Sequence, residues 1–114
     1  MTETTIVKNI ILKIGEVYPT QIRAWRNNTG AAKNENGRFV RYGLVGSADI
    51  SGLMAPNGRR LEIEVKTPKG YATVKQKAFG AMINDMGGLW ILARSFEDVQ
   101  KELDEKGVEL WNLR

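Results

Sequence analysis

Asp49, Glu64 and Lys66 are the residues of this 114-residue chain whose types and spacing best suit chemistry. They occur as Gly46-Ser47-Ala48-Asp49 and, across a turn sequence, as Glu64-Val65-Lys66. Two carboxylates on neighbouring strands make a hard oxygen site that suits Mg²⁺ or Mn²⁺, and the main-chain carbonyl of Val65 can give a third oxygen. A cation held by few protein oxygens keeps water. Lys66 can then orient or deprotonate that water and offset charge developing on a phosphoryl transition state. The chemistry expected is metal-dependent phosphodiester cleavage.

The elements that must position these groups follow from local pattern. Pro56-Asn57-Gly58 carries turn chemistry between two apolar, β-branched stretches, which predicts a hairpin. Alternation along Leu61 to Lys66 puts Glu62, Glu64 and Lys66 on one strand face and Leu61, Ile63 and Val65 on the other, one core and one chemistry or solvent. Asp49 and Glu64 are expected at or near the middle of neighbouring strands. Alternation alone does not choose between Glu62 and Glu64. Glu62 lies a full pleat repeat further from Lys66, which favours Glu64.

Around the hairpin, apolar residues at Ile6, Val7, Ile10, Ile11 and Ile14 predict an amphipathic helix from Glu3 to Ile14 that stops at Gly15. Glu3 falls on its inward stripe, where a carboxylate needs a partner; the alternative is a solvated first-turn acid favoured by the helix dipole. Gln21 to Arg26 reads as a strand. The stretch 27–46 reads as a long basic loop with a short strand at Phe39–Tyr42. A helix over Thr73 to Met86 is expected to bury Val74, Ala78, Ala81 and Met82, with Phe79 and Ile83 widening the row toward Gln76. Leu89 to Ala93 is a strand, Ser95 starts a capped helix with Val99 and Leu103 inward, and 108–113 is a last edge strand. The fold class expected is α/β, a mixed sheet flanked by helices in one domain spanning 1–114.

Composition narrows the chemistry. The chain has no His and no Cys, which removes Ser-His-Asp hydrolases, histidine-ligated zinc, thiolate metal sites and disulfides. Net charge is +4, and it is uneven: from Arg23 to Lys77 eleven basic residues face four acids, whereas the flanks are acidic on balance. The middle of the chain is the expected phosphate-facing part, with Arg23, Arg26, Lys33, Arg38, Arg41 and Lys69 as phosphate contacts. Trp25, Trp90 and Trp111 are expected in the core rather than as base-stacking groups. With no long apolar run or leader, a cytoplasmic protein without membrane contact or small-molecule cofactor is expected.

These residues together resemble the PD-(D/E)XK nuclease superfamily and, within it, the virus-type replication-repair nuclease (VRR-NUC) family in its small stand-alone phage and bacterial form. The resemblance covers nearly the whole chain: Glu3 on the first helix, Trp25-Arg26-Asn27-Asn28 with Gly30 beyond, Gly46-Ser47-Ala48-Asp49, Glu64 to Gly70, and Gln76 on the following helix. Ala48 stands where the superfamily name has a proline. The resemblance implies a restriction-endonuclease-like core (αβββαβ plus a C-terminal helix and edge strand). It implies a metal held by Asp49, Glu64 and the Val65 carbonyl, a catalytic Lys66, site-lining Gln76 and Glu3, and products with a 5′-phosphate and a 3′-hydroxyl. It further implies a homodimer acting on branched or Holliday-junction-like DNA in replication, recombination or repair. Two other readings compete: a non-catalytic nucleic-acid-binding module, and a structural domain whose acids are merely ion-paired.

Overall fold

The computed structural model describes residues 1–27, 30–33, 35–42 and 44–106, with 30–33 and 39–42 as backbone only. The described elements run α1 (Glu3–Val17), β1 (Ile22–Arg26), β2 (Gly30–Lys33), β3 (Phe39–Tyr42), β4 (Ile50–Met54), β5 (Arg59–Val65), α2 (Val74–Asp85), β6 (Leu89–Ala93) and α3 (Phe96–Lys106). Four strands form one mixed sheet in the order β1-β4-β5-β6, and β2 pairs with β3 in a separate antiparallel hairpin. β4 is antiparallel to both β1 and β5, while β5 and β6 are parallel and α2 makes the crossover between them.

Helices α1 and α3 pack on one face of this sheet. Ile6, Val7, Ile10 and Ile14 of α1 and Phe96, Val99 and Leu103 of α3 close over Ile22, Ile50, Leu61, Ile63, Val65, Leu89 and Ile91. These residues sit at the 3.6 and 2.0 periods that helices and strands require of one buried side. α2 lies against β5 and β6 from the opposite face. It approaches closely because Gly80 has no side chain: a Cβ there would sit 2.4 Å from the Trp90 ring.

This second layer changes how β5 reads. Every residue from Leu61 to Val65 is buried, so the face carrying Glu62 and Glu64 lies under a roof rather than open to solvent. A central strand covered on both sides loses the simple in-out pattern expected of a half-exposed one.

Several expectations are corrected. α1 runs through Gly15 to Val17, because Ile14 and Tyr18 anchor its last turn in the core and outweigh the ~1 kcal/mol penalty of a helical glycine. Glu3 is exposed, so the alternative holds: it is a solvated first-turn acid at the uncovered start of its stripe. On α2 Phe79 and Gly80 are buried and Met82 and Ile83 half-buried, as part of the expected row, while Val74 is 84% exposed and Ala78 and Ala81 also face solvent, so the covered side is turned away from Val74, Ala78 and Ala81. The roof is narrow. Packing of Gly80 on Trp90 sets its rotation. The expected long loop contains a hairpin, β2 having been hidden by its Gly and Ala content. The turn between β4 and β5 occurs as expected, with a cis Ala55–Pro56 bond and Gly58 at φ +74°. The expected last strand and Trp111 lie outside the described residues.

Candidate active site

The register of β4 on β5 pairs Ile50 with Ile63, so Asp49, one residue ahead of β4, continues the ladder opposite Glu64. Asp49 therefore stands at the strand's entry and not near its middle. Its position is fixed from two sides. The Asn27 N–H donates to the Asp49 carbonyl at 2.8 Å, and Asn27 Nδ2 donates to the Ala48 carbonyl at 3.1 Å. The Asp49 carboxylate itself accepts the Val65 N–H at 2.9 Å. This bond ties the first acid to the residue between Glu64 and Lys66.

Glu64 is 2% exposed and carries the other half of the site. Its Oε2 lies 3.5 Å from Lys66 Nζ and accepts from Gln76 Nε2 at 3.2 Å. Burial pushes the Glu64 carboxyl up to about 8, and the neighbouring Asp49 charge adds to the rise against the opposing pull of Lys66. Glu64 thus keeps its proton near neutral pH rather than standing as a second anion beside Asp49. Lys66 is enclosed with them, its side chain 12% exposed.

Gln76 is placed by the start of α2. Thr73 caps the helix, its Oγ1 accepting from the Gln76 N–H at 3.1 Å while Gln76 Oε1 accepts from the Thr73 N–H at 2.9 Å. This reciprocal capping box leaves only the amide NH₂ end free to reach Glu64. The Thr73-Val74-Lys75-Gln76 spacing carried that signal in the sequence. Arg94, directly after β6, steadies the turn beyond Lys66 by donating from Nη2 to the Gly70 carbonyl at 2.8 Å, a role with no local sequence signal.

The loop before Asp49 packs on the same helix. Gly46 has φ +79°, and a Cβ there would lie 2.4 Å from the Lys75 carbonyl oxygen, which is backbone and cannot swing aside. Gly46→Ala is expected to destabilise the fold by about 1–3 kcal/mol from overpacking, with a further ~1 kcal/mol from the left-handed backbone. Urea unfolding checks this, and cleavage should fall with it because the loop carrying Asp49 must shift.

Glu62, the competitor in the alternation, is engaged elsewhere. Arg60 Nε donates to its Oε2 at 2.8 Å, and it lies in a cross-strand row with Ser51 and Trp90. Ser51 Oγ, Glu62 Oε1 and Trp90 Nε1 are buried without a hydrogen-bond partner, a polar row of the kind that ordered water bridges.

Asp49, Glu64, Lys66 and Gln76 are brought together; Glu3 is not among the groups bonded to them, being exposed at the start of a helix whose buried side packs on the other sheet face. Arg23 and Arg26 are exposed on β1, Arg38 on the hairpin turn and Lys69 in the turn after Lys66. The side chains of Lys33 and Arg41 lie outside the described residues. Trp25 is 41% exposed, which corrects its expected place in the core; Trp90 is half-buried under α2.

Among the described residues no group of three or more acidic, His or Cys side chains gathers for a metal, so the side-chain donors here are two carboxylates. No protein-family model, curated protein or solved structure matches the chain. No helix among the described residues is long and apolar enough to cross a membrane.

Proposed function

We propose that the protein is a divalent-metal-dependent, structure-selective DNA endonuclease of the VRR-NUC kind, acting on branched DNA. The observation that carries this reading is the convergence of Asp49 and Glu64, with the Glu64 carboxyl raised to about 8, beside an enclosed Lys66. A structural ion pair needs one acid per base. Here a second carboxyl stands beside the Glu64–Lys66 pair, and Glu64 keeps its proton near neutral pH, a proton that a cation would displace. The donor chemistry also fits, since carboxylate and carbonyl oxygens are the ligands hard cations take. The mixed sheet with helices on both faces supports a restriction-endonuclease-like core.

Asp49, Glu64 and the Val65 carbonyl would hold Mg²⁺ or Mn²⁺, which when bound supplies Lewis-acid activation of the phosphate and its attacking water. The chain's own groups do the rest. Lys66 orients the attacking water, or takes its proton, and offsets charge on the pentavalent transition state. Gln76 holds the Glu64 carboxylate in one orientation through its amide NH₂. The Val65 N–H does the same for Asp49. The raised carboxyl of Glu64 must lose its proton before it can act as a ligand, so cation binding releases a proton at neutral pH. Hydrolysis leaves a 5′-phosphate and a 3′-hydroxyl. A chain of this size covers little duplex alone, which favours a homodimer on a junction.

The test is cleavage of an end-labelled four-way junction with Mg²⁺, Mn²⁺ or EDTA, beside linear duplex and single strand. Metal-dependent nicks concentrated at the junction are expected. Intact DNA that is nonetheless retarded on a gel would instead mark a non-catalytic binding module.

A further inference from the structure

On the sheet face that carries Asp49 and Glu64, the register lays out parallel cross-strand rows. Arg23, Leu53 and Arg60 form one, and Trp25, Ser51, Glu62 and Trp90 form the next. The row after that holds Asp49 and Glu64. α2 roofs only the β5–β6 half of this face, where Gly80 seats on Trp90. Beyond buried Ser51, the β1 edge is left open. The two large apolar side chains there, Trp25 and Leu53, are 41% and 43% exposed.

Trp25 pairs with Ser51, two residues along β4 from Asp49. Its Cα is displaced from that of Asp49 by roughly 7 Å along the strand and about 5 Å across to the next one. The indole is therefore next door to the acid pair, on the same side of the sheet, and open to solvent. Charge around it is basic. Arg23 and Arg26 are exposed on the same strand, Arg23 on the Trp25 face and Arg26 on the other, and neither side chain makes an ion pair or hydrogen bond with a described residue. The Arg60 side chain is half exposed across the sheet, and the nearest acid, Glu62, is buried beneath its guanidinium. An exposed indole with the Arg23 guanidinium on its own face, and Arg60 further across the sheet, matches the two demands of a single nucleic-acid strand, a flat apolar surface for a base and cations for the flanking phosphates.

The geometry points to Trp25 as a stacking platform for an unpaired DNA base close to the scissile phosphate, and so as a determinant of structure selectivity. The assignment rests on the nuclease reading for which phosphate is cut, but not for the binding itself. A base inside a duplex is already stacked on both faces and cannot also lie on Trp25. A base at a junction, flap or single-stranded tract can. The platform thus favours DNA with an unpaired or easily splayed nucleotide beside the cut, a selectivity that needs no reading of base edges.

The experiment is tryptophan fluorescence and binding in EDTA with oligo(dT) and with a fully paired duplex. Wild type, Trp25→Phe and Trp25→Ala are compared after circular dichroism shows each is folded. Oligo(dT) should quench the wild type, and Trp25→Phe should lose most of that quenching. Trp25→Ala should weaken oligo(dT) binding about 10- to 100-fold, with a much smaller loss on duplex. Quenching retained in Trp25→Phe, or equal losses on both DNAs, overturns the assignment. So does a Trp25→Ala protein that sediments as a smaller species, since that would assign the patch to a second copy of the chain pairing along edge strand β1. Because EDTA prevents cleavage, the two readings fail separately. Trp25-dependent quenching with no metal-dependent cleavage keeps the platform and sinks the nuclease; cleavage without such quenching does the reverse.

Discussion

Lys66→Ala is expected to lower metal-dependent cleavage by about 10²- to 10³-fold, the usual cost of removing one group that meets charge in a transition state. The fold should survive. Losing the ammonium removes the one influence that lowers the Glu64 carboxyl, so Glu64 keeps its proton rather than being stranded as a buried anion. The companion variants are Glu64→Gln and Asp49→Asn, which keep size and hydrogen-bonding shape while removing charge. Asn is the better choice at Asp49, because Ala would orphan the buried Val65 N–H at a cost of about 1–3 kcal/mol and blur loss of activity with loss of stability. Each is expected to abolish cleavage. Each should also lose the rise in melting temperature that Mg²⁺ is expected to give the wild type, a readout that needs no DNA. Single-turnover cleavage of a junction, with a thermal melt at matched Mg²⁺, checks both halves. Full activity in all three variants would remove the site assignment.

The second large effect lies in pH. Glu64 is raised from its ordinary 4.5 to about 8 in the fold, so between these values the folded protein binds a proton that the unfolded chain has released. The stabilising influence of the neutral form is complete below about pH 4.5, falls as pH rises through the window, and is gone above about 8. The metal-free protein should therefore lose stability across that window, by at most about 1.4 kcal/mol per pH unit for one proton. Glu64→Gln cannot ionise, so its profile should be flatter and its melting temperature at pH 8 higher than the wild type's. Mg²⁺ opposes the proton. Its stabilising effect should grow from pH 6 to pH 8, with affinity rising up to about tenfold per pH unit while Glu64 is still protonated. Urea unfolding in EDTA at pH 5 to 9, repeated with Mg²⁺, tests the sign directly. A wild-type stability that climbs with pH through this range while Glu64→Gln stays flat would contradict the buried, raised carboxyl.

Much of this molecule is determined by its sequence alone. The periods of Ile6 to Ile14, Leu61 to Val65 and Val99 to Leu103 establish two helices and a strand, and Pro56-Asn57-Gly58 establishes the turn that brings Asp49 and Glu64 to facing strands, because periodicity and turn chemistry are local properties of the chain. The grouping of Glu64 with Lys66 likewise follows from alternation. What tertiary structure decided is which surfaces are covered. The spacing of α2 places Gln76 beside the covered face, but nothing in it reveals that Gly80, seated on Trp90, turns Val74 and Ala78 outward. Nor does it reveal that this roof stops short of β1, which buries Glu64 yet leaves Trp25 open on the same sheet face. Burial of one strand face depends on a helix that arrives from later in the chain, and the raised carboxyl of Glu64 depends on that burial. The identities of the candidate site groups are local and readable in order; their electrostatics and accessibility are set by contacts between segments, and only the folded chain makes those.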